Sequence, residues 1–194
     1  WKTVEAWLEN LDQNDRVHGS VYTMGAITGR MTHSNPNMAN VVSVDKPYGK
    51  ECRECWSVPT EQYRIVGMDA KGLELRMLAH YMRDEEYIDV VLNGDPHTTN
   101  MKAAGLSTRA ESKRFIYAFL YGAGVDKLGS VVGGTAKEGA RLKREFLKNM
   151  PALDNLIKKV QKMAEKGSIQ GLDGRRIYIR HQHAALNTLL QGAG

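Results

Sequence analysis

The sequence predicts an α+β fold that is predominantly helical, and three observations carry that prediction. Residues 19–59 are rich in Gly, Asn, Ser and Pro and are followed by the alternating stretch "YRIVGMDA", a pattern of turns and short strands. After Gly72 the apolar period changes to that of a helix and stays so to about Val160. "GSIQGLDGRRIYIR" then sets two short β-prone stretches on either side of "LDG", as a hairpin requires.

Taken in order, Val4, Trp7, Leu8 and Leu11 recur at helical spacing, so residues 1–18 open with an amphipathic helix. "TGR" and "HSNPN" mark irregular chain and short strands beyond Gly19. "YRIVGMDA" reads as a buried strand ending at Asp69. Leu73, Met77 and Tyr81 share a helical face, and a series of helices follows, punctuated by "NGDPH", "YGAG" and "VVGG". A final helix starts near His181. The expected organisation is a sheet region over residues 19–70, a helical subdomain, and a return to the sheet over 168–194.

With 194 residues, 42% hydrophobic and 25% charged, the chain can bury the core of one or two domains. No run approaches the apolar length of a membrane span, and the first residues lack the basic start and apolar middle of a secretory signal. The expected setting is cytoplasmic, without a membrane partner. The sequence opens on Trp1 and stops at "LLQGAG" without a helix ending, so it reads as a segment of a longer protein. A surplus of 27 basic over 22 acidic residues suits contact with a polyanion without selecting it. Cys52 and Cys55 form a C-x-x-C with no second pair to complete a zinc site and no thioredoxin-like surroundings. They are expected to be reduced thiols without a catalytic role.

"RAESKRFIYAFLYG" repeats Arg109, Lys113, Tyr117 and Tyr121 at one interval of four. Thr108 and Glu111 form a capping-box pattern, so the helix starts there with its positive end at Arg109. Each step of four advances about 40° round the helix, making one slowly winding stripe, while Phe115, Ile116 and Phe119 supply the packing face. Two cations beside free helix N–H groups suit a triphosphate, and the two rings offer flat surfaces to a base or sugar. A solvated Arg/Lys edge beside two core tyrosines is the competing reading. In "MDAKGLELR", the Asp69 carboxylate and the Ala70 carbonyl are oxygen ligands of the kind Mg²⁺ takes, although a strand-end Asp also serves as a simple turn former.

These motifs together resemble the family A DNA polymerases. "DAKGLELRMLAHY" is similar to the family's motif A and "RAESKRFIYAFLYGAG" to its motif B; "TGRMTHSNPN" resembles its T-G-R segment and "HAALNTLLQGAG" the helix before motif C. The similarity runs in order from about His18 to Gly194, with wording closest to the phage replicative, podovirus-type branch. It implies a partial right-hand polymerase fold: residues 1–18 from the thumb/palm junction, 19–80 as a palm portion, 81–165 as fingers helices, and 166–194 returning to the palm. It also implies template-directed addition of dNTPs to a primer 3′-hydroxyl in phage DNA replication, with two Mg²⁺ ions, primer–template DNA and dNTP as partners, and a processivity factor bound by other parts of the polymerase.

By the same resemblance Asp69 is the first catalytic aspartate and the Ala70 carbonyl its companion metal ligand. His97, Arg109 and Lys113 lie at the triphosphate, with Lys113 also a candidate proton donor to pyrophosphate. Tyr117 lies against the nucleotide, and a Tyr there is associated with tolerance of sugars lacking the 3′-hydroxyl. Glu74 excludes ribose with Tyr121 as its neighbour, and Arg30 touches the primer end. His183, Asn187 and Gln191 repeat the interval of four with neutral groups, which suits a minor groove where acceptors recur at nearly constant positions. A polar edge on a surface helix is the alternative there.

The chain also departs from the family pattern. Motif C, with the second catalytic Asp, is expected after Gly194, so this segment alone is expected to be inactive. His183 stands where many relatives have Arg, and "PNMANVV" lacks the usual Ile-Pro. A single-subunit RNA polymerase shares the motif A Asp and motif B cations, but Glu74 would obstruct ribose. A non-catalytic nucleotide- or nucleic-acid-binding module is the reading from outside enzymes.

Overall fold

A computed structural model of the chain describes residues 2–194; Trp1, counted in the expected opening segment, lies outside them. The chain divides into two compact units, Trp1–Ala70 and Lys71–Gly194.

The first unit is thinly cored. Helix α1 (Lys2–Leu8) buries Trp7, whose ring meets Trp56 edge-on at 4.9 Å. Asp12 knits the following turn by accepting from the backbone N–H groups of Asn14 and Arg16 and pairing with His18. Strands β1 (Ser20–Tyr22) and β2 (Thr32–Ser34) form an antiparallel hairpin, Val21 opposite His33. The short helix α2 (Gly49–Glu54) was not expected in a region read as irregular. Six residues are too few to show an apolar period; tertiary contacts hold the helix, with Arg53 donating to the carbonyls of Val41 and Val42.

The expected strand over "YRIVGMDA" does not form. Residues 61–70 are all exposed, Met68 at 96% and Val66 at 82%, and no strand pairs with them among the described residues. Alternation can mark a segment suited to a sheet, but without a paired neighbour it buries nothing.

The second unit holds the main core. Helices α3 (Leu73–Met82), α4 (Glu85–Asn93), α5 (Pro96–Ala104), α6 (Arg109–Leu120), α7 (Val125–Ser130), α8 (Ala136–Asn149) and α9 (Pro151–Ala164) confirm the predicted helical run. Several of their ends are set by local chemistry. Asp84 and Asp95 cap α4 and α5, Pro96 and Pro151 open α5 and α9, and Gly105 ends α5 in the left-handed conformation. Phe115 and Phe119 of α6 meet Phe146 of α8 edge-on at 5.6 and 5.3 Å, with Leu75, Leu78, Leu142, Leu153 and Val160 buried in the same core.

The predicted hairpin is present as β3 (Ser168–Gln170) and β4 (Arg176–Tyr178), with Ile169 opposite Ile177, both buried. It is a separate two-stranded sheet, as β1–β2 is, so the expected return to a common sheet is not found among the described residues. The last helix, α10 (Ala185–Ala193), is entered through one 3-10 turn at Gln182–Ala184. No helix among the described residues is long and apolar enough to cross a membrane.

Candidate nucleotide-binding site

Helix α6 begins as its sequence predicts. The Thr108 hydroxyl accepts from the Glu111 N–H and the Glu111 carboxylate accepts from the Thr108 N–H, closing the capping box and fixing Arg109 as the first helical residue. Phe115, Ile116 and Phe119 turn inward, and the intervals of four place Arg109 and Lys113 in solvent with Tyr117 half-buried behind them. Tyr121 caps the helix and is 48% exposed. Tyr117 packs against the edge of the core while Tyr121 stands in solvent, and their rings lie 6.4 Å apart at 30°, a two-ring ledge continuing the cationic row.

Helix α5 brings His97 to this row. Its ring lies 6.2 Å from that of Tyr117, and the buried Ser112 hydroxyl donates to the His97 carbonyl at 2.7 Å, joining α5 to α6. Partial burial holds the His97 imidazole below its ordinary pKa, and the charges of Arg109 and Lys113 push the same way while Asp95 opposes them. Its Nδ1 is buried without a hydrogen-bond partner. The imidazole is thus biased toward the neutral form beside two cations.

Sequence reasoning missed Asp95. Its carboxylate receives Arg109 through Nε at 2.7 Å and a second guanidinium nitrogen at 3.1 Å, accepts the Thr98 hydroxyl at 2.7 Å, and accepts the His97 N–H. The Arg109 bonds, and then the others, hold this carboxyl well below the usual carboxylate range. Arg109 is in turn held more firmly protonated. The Asp-Pro pair in "NGDPH" is a helix-start signal that could have marked the cap, but nothing local marks the pairing with Arg109.

Glu74 lies in the first turn of α3, behind Gly72, whose φ of +61° lets the chain enter the helix from a left-handed residue. Its charge reaches the Tyr117 phenol. Burial first, then Glu74 and Tyr121, push that group's pKa up. Six of the predicted residues (Glu74, His97, Arg109, Lys113, Tyr117 and Tyr121) therefore belong to α3, α5, and α6 with its C-cap, in one unit, linked by ring contacts, hydrogen bonds or charge.

Asp69, Ala70 and Arg30 belong to the first unit. Asp69 and Ala70 lie on the exposed, unpaired segment, and Arg30 is half-buried at the end of a turn in which Gly29 adopts a φ of +83°. His183, Asn187 and Gln191 belong to the second unit. On α10, Ala185, Leu186, Thr188, Leu189, Leu190 and Gly192 are buried while Asn187 and Gln191 remain half-exposed, so the polar interval of four is the helix's accessible stripe. His183 precedes it in the 3-10 turn, stacked on His181 at 5.4 Å. Gly122, also missed, sits at the crossing of the two motifs. Its φ is +77°, and a Cβ there would lie 2.7 Å from the His183 carbonyl oxygen. Beside that contact a cavity of about 110 Å³ opens between Phe119, Lys143, Val160 and Leu186.

The family model for DNA polymerase family A matches residues 2–194. The chain is 43% identical over 215 aligned residues to the DNA-directed DNA polymerase of Enterobacteria phage T3, and equally to that of Escherichia phage T7. Each alignment takes in 98% of this chain but 30% of the relative, so the chain spans under a third of those proteins. Its fold matches the POL domain of Pol1 from M. smegmatis, solved with DNA primer–template and dNTP, with a TM-score of 0.79 and 23% identity over 99% of this chain and 38% of that one.

Proposed function

The chain belongs to DNA polymerase family A, and from that membership we propose that it supplies the dNTP-binding helix and the first catalytic carboxylate of a phage-type, template-directed DNA polymerase. The observation that carries this reading is the joining of His97, Arg109, Lys113 and Tyr117 into one cationic and aromatic row that runs from the N-terminal end of a capped helix.

Arg109 and Lys113 neutralise the triphosphate at the positive end of the helix dipole. The His97 ring sits beside them as a hydrogen-bonding group. Lys113 is placed on the same row to give a proton to departing pyrophosphate. Tyr117 and Tyr121 carry the base and sugar, with Glu74 beside Tyr117 obstructing a 2′-hydroxyl, which favours deoxynucleotides. Arg30 and the stripe His183, Asn187 and Gln191 contact primer–template DNA. The setting proposed is the cytoplasm of a phage-infected host, with a processivity factor held by other parts of the polymerase.

The donors at Asp69 and Ala70, a carboxylate and a carbonyl oxygen in solvent, fit the hard-oxygen preference of Mg²⁺. No group of three or more His, Cys, Asp or Glu suited to a metal occurs among the described residues. The remaining ligands are therefore assigned to substrate phosphates, water and the second carboxylate of motif C. When bound, the ions supply charge neutralisation at the attacking and leaving oxygens.

Primer extension by the polymerase carrying this segment tests the reading. Asp69→Ala is expected to lower extension by more than about a thousandfold while primer–template binding persists. Extension at the unsubstituted rate overturns it.

A further inference from the structure

The net charge of the chain, +5, is concentrated in one place. Residues 136–166, the α8–α9 pair, contain nine Lys and Arg against four Asp and Glu, a surplus equal to that of the whole chain. Within it α8 is ordered in a particular way. Lys137, Arg141, Arg144 and Lys148 follow one another at intervals of four, three and four, which keeps them within about 60° of one another round the helix. The buried residues Gly139, Leu142 and Phe146 point to the opposite side. All four cations are exposed, and the row is about 17 Å long at 1.5 Å per residue. Arg141 shares its guanidinium with Glu138 at 2.8 and 3.1 Å; the other three have no ion pair among the described residues. An open, shallow concavity of about 330 Å³ runs beside the row between Thr135 and Arg144.

Like charges at intervals of three and four destabilise a helix; Glu138 and Glu145 offset this at Arg141, and an anionic partner would offset what they leave. We propose that the outer face of α8 is a second nucleic-acid contact, separate from the Arg109–Tyr121 row, that tracks the phosphate backbone of a single strand without reading its sequence. One cation per turn places charges about 4.5–6 Å apart along a straight line. A flexible single strand can follow that line, whereas the convex backbone of a duplex diverges from a convex helix after a few phosphates. No aromatic side chain is exposed on α8 or α9, which leaves phosphate charge rather than base stacking as the source of binding.

The inference rests on the polymerase reading only for why a single strand arrives there. Its test uses the 194-residue chain with neither metal nor dNTP, so loss of catalysis and loss of this surface can be told apart. Fluorescence anisotropy with labelled oligo-deoxythymidine, a duplex of equal length and poly-glutamate is measured across a salt series. Comparison is made with a variant carrying K137Q, R141Q, R144Q and K148Q, and with a control removing Lys158, Lys159, Lys162 and Lys166 from the α9 side. Circular dichroism melting checks that both variants fold. The α8 variant is expected to bind the single strand at least about tenfold more weakly near 0.1 M salt, and its log-log salt slope to fall by about three, from four lost phosphate contacts at roughly 0.7 each. The α9 control and duplex binding should change less. An unchanged slope, an equal loss in the α9 control, or tighter binding of poly-glutamate than of DNA to the same face overturns the proposal, the last pointing to an acidic protein partner.

Discussion

Asp95 serves four donors at once, from the α5 backbone, from Thr98 and from both sides of the Arg109 guanidinium. It is at once a helix cap and the resting partner of a proposed phosphate ligand, and the two roles separate by substitution. Removing Arg109 deletes only an exposed ion pair, which solvent screens. Asp95→Ala deletes the pair and the cap, which together should cost about 1–2 kcal/mol; Asp95→Asn should fall between, because an amide oxygen still caps. Urea unfolding of the chain at neutral pH measures all three, and equal losses for Asp95→Ala and Arg109→Ala would sink the assignment of the cap. The pH dependence has a definite sign. A carboxyl held below its usual range is already charged in the folded state when the unfolded chain takes up its proton. Its contribution is therefore complete above about pH 4 and fades as the pH falls through the depressed value, so the gap between the chain and Asp95→Asn should narrow only in acid. The cap could be read from "NGDPH", but Arg109 lies 14 residues away and meets Asp95 only because α5 packs on α6. Sequence spacing therefore showed the cations facing outward without showing what holds one of them.

Elements were legible in proportion to how locally they are determined. Helix α6 declares itself through the capping box, the interval of four and an apolar face that is found buried, and the β3–β4 hairpin through "LDG" between β-prone residues. Helix α2 and the segment before Lys71 were not legible, because one depends on Arg53 reaching distant carbonyls and the other on a pairing partner. The end of α6 lies between these cases. "YGAG" signals a stop, but not that Gly122 lies against the His183 backbone. Both its φ of +77° and the 2.7 Å approach exclude a side chain. Gly122→Ala should accordingly cost more than the roughly 1 kcal/mol of an ordinary left-handed glycine, since one of two backbones must shift. It should also disturb the stripe His183, Asn187 and Gln191. Thermal unfolding together with amide chemical shifts of residues 181–191 tests this; a neutral substitution would show that the close approach carries no constraint.

At the scale of the whole chain, the chemistry proposed for this family member is divided between two units of unequal build. The cations, rings and Glu74 rest on the well-packed core of Lys71–Gly194, whereas Asp69 and Ala70 lie on a run of twelve exposed residues, 59–70, that closes Trp1–Ala70. The order of the motifs was legible because it is a property of sequence; the difference in cohesion was not, since it depends on how much apolar surface each unit buries against itself. A protease should report that difference. Trypsin needs several residues of extended, accessible backbone, and Arg64 and Lys71 lie in or beside the exposed run. The α8–α9 pair carries more Lys and Arg, but there the backbone is hydrogen-bonded into helices anchored by Leu142, Phe146, Leu153 and Val160. Limited digestion followed by mass spectrometry is therefore expected to leave a durable product beginning at Ile65 or Gly72, with its helical circular dichroism retained. Early cleavage inside α8 or α9, ahead of residues 61–71, would mean that cation density rather than backbone protection governs the reaction, and that the second unit is not the stable platform on which the proposed nucleotide row depends.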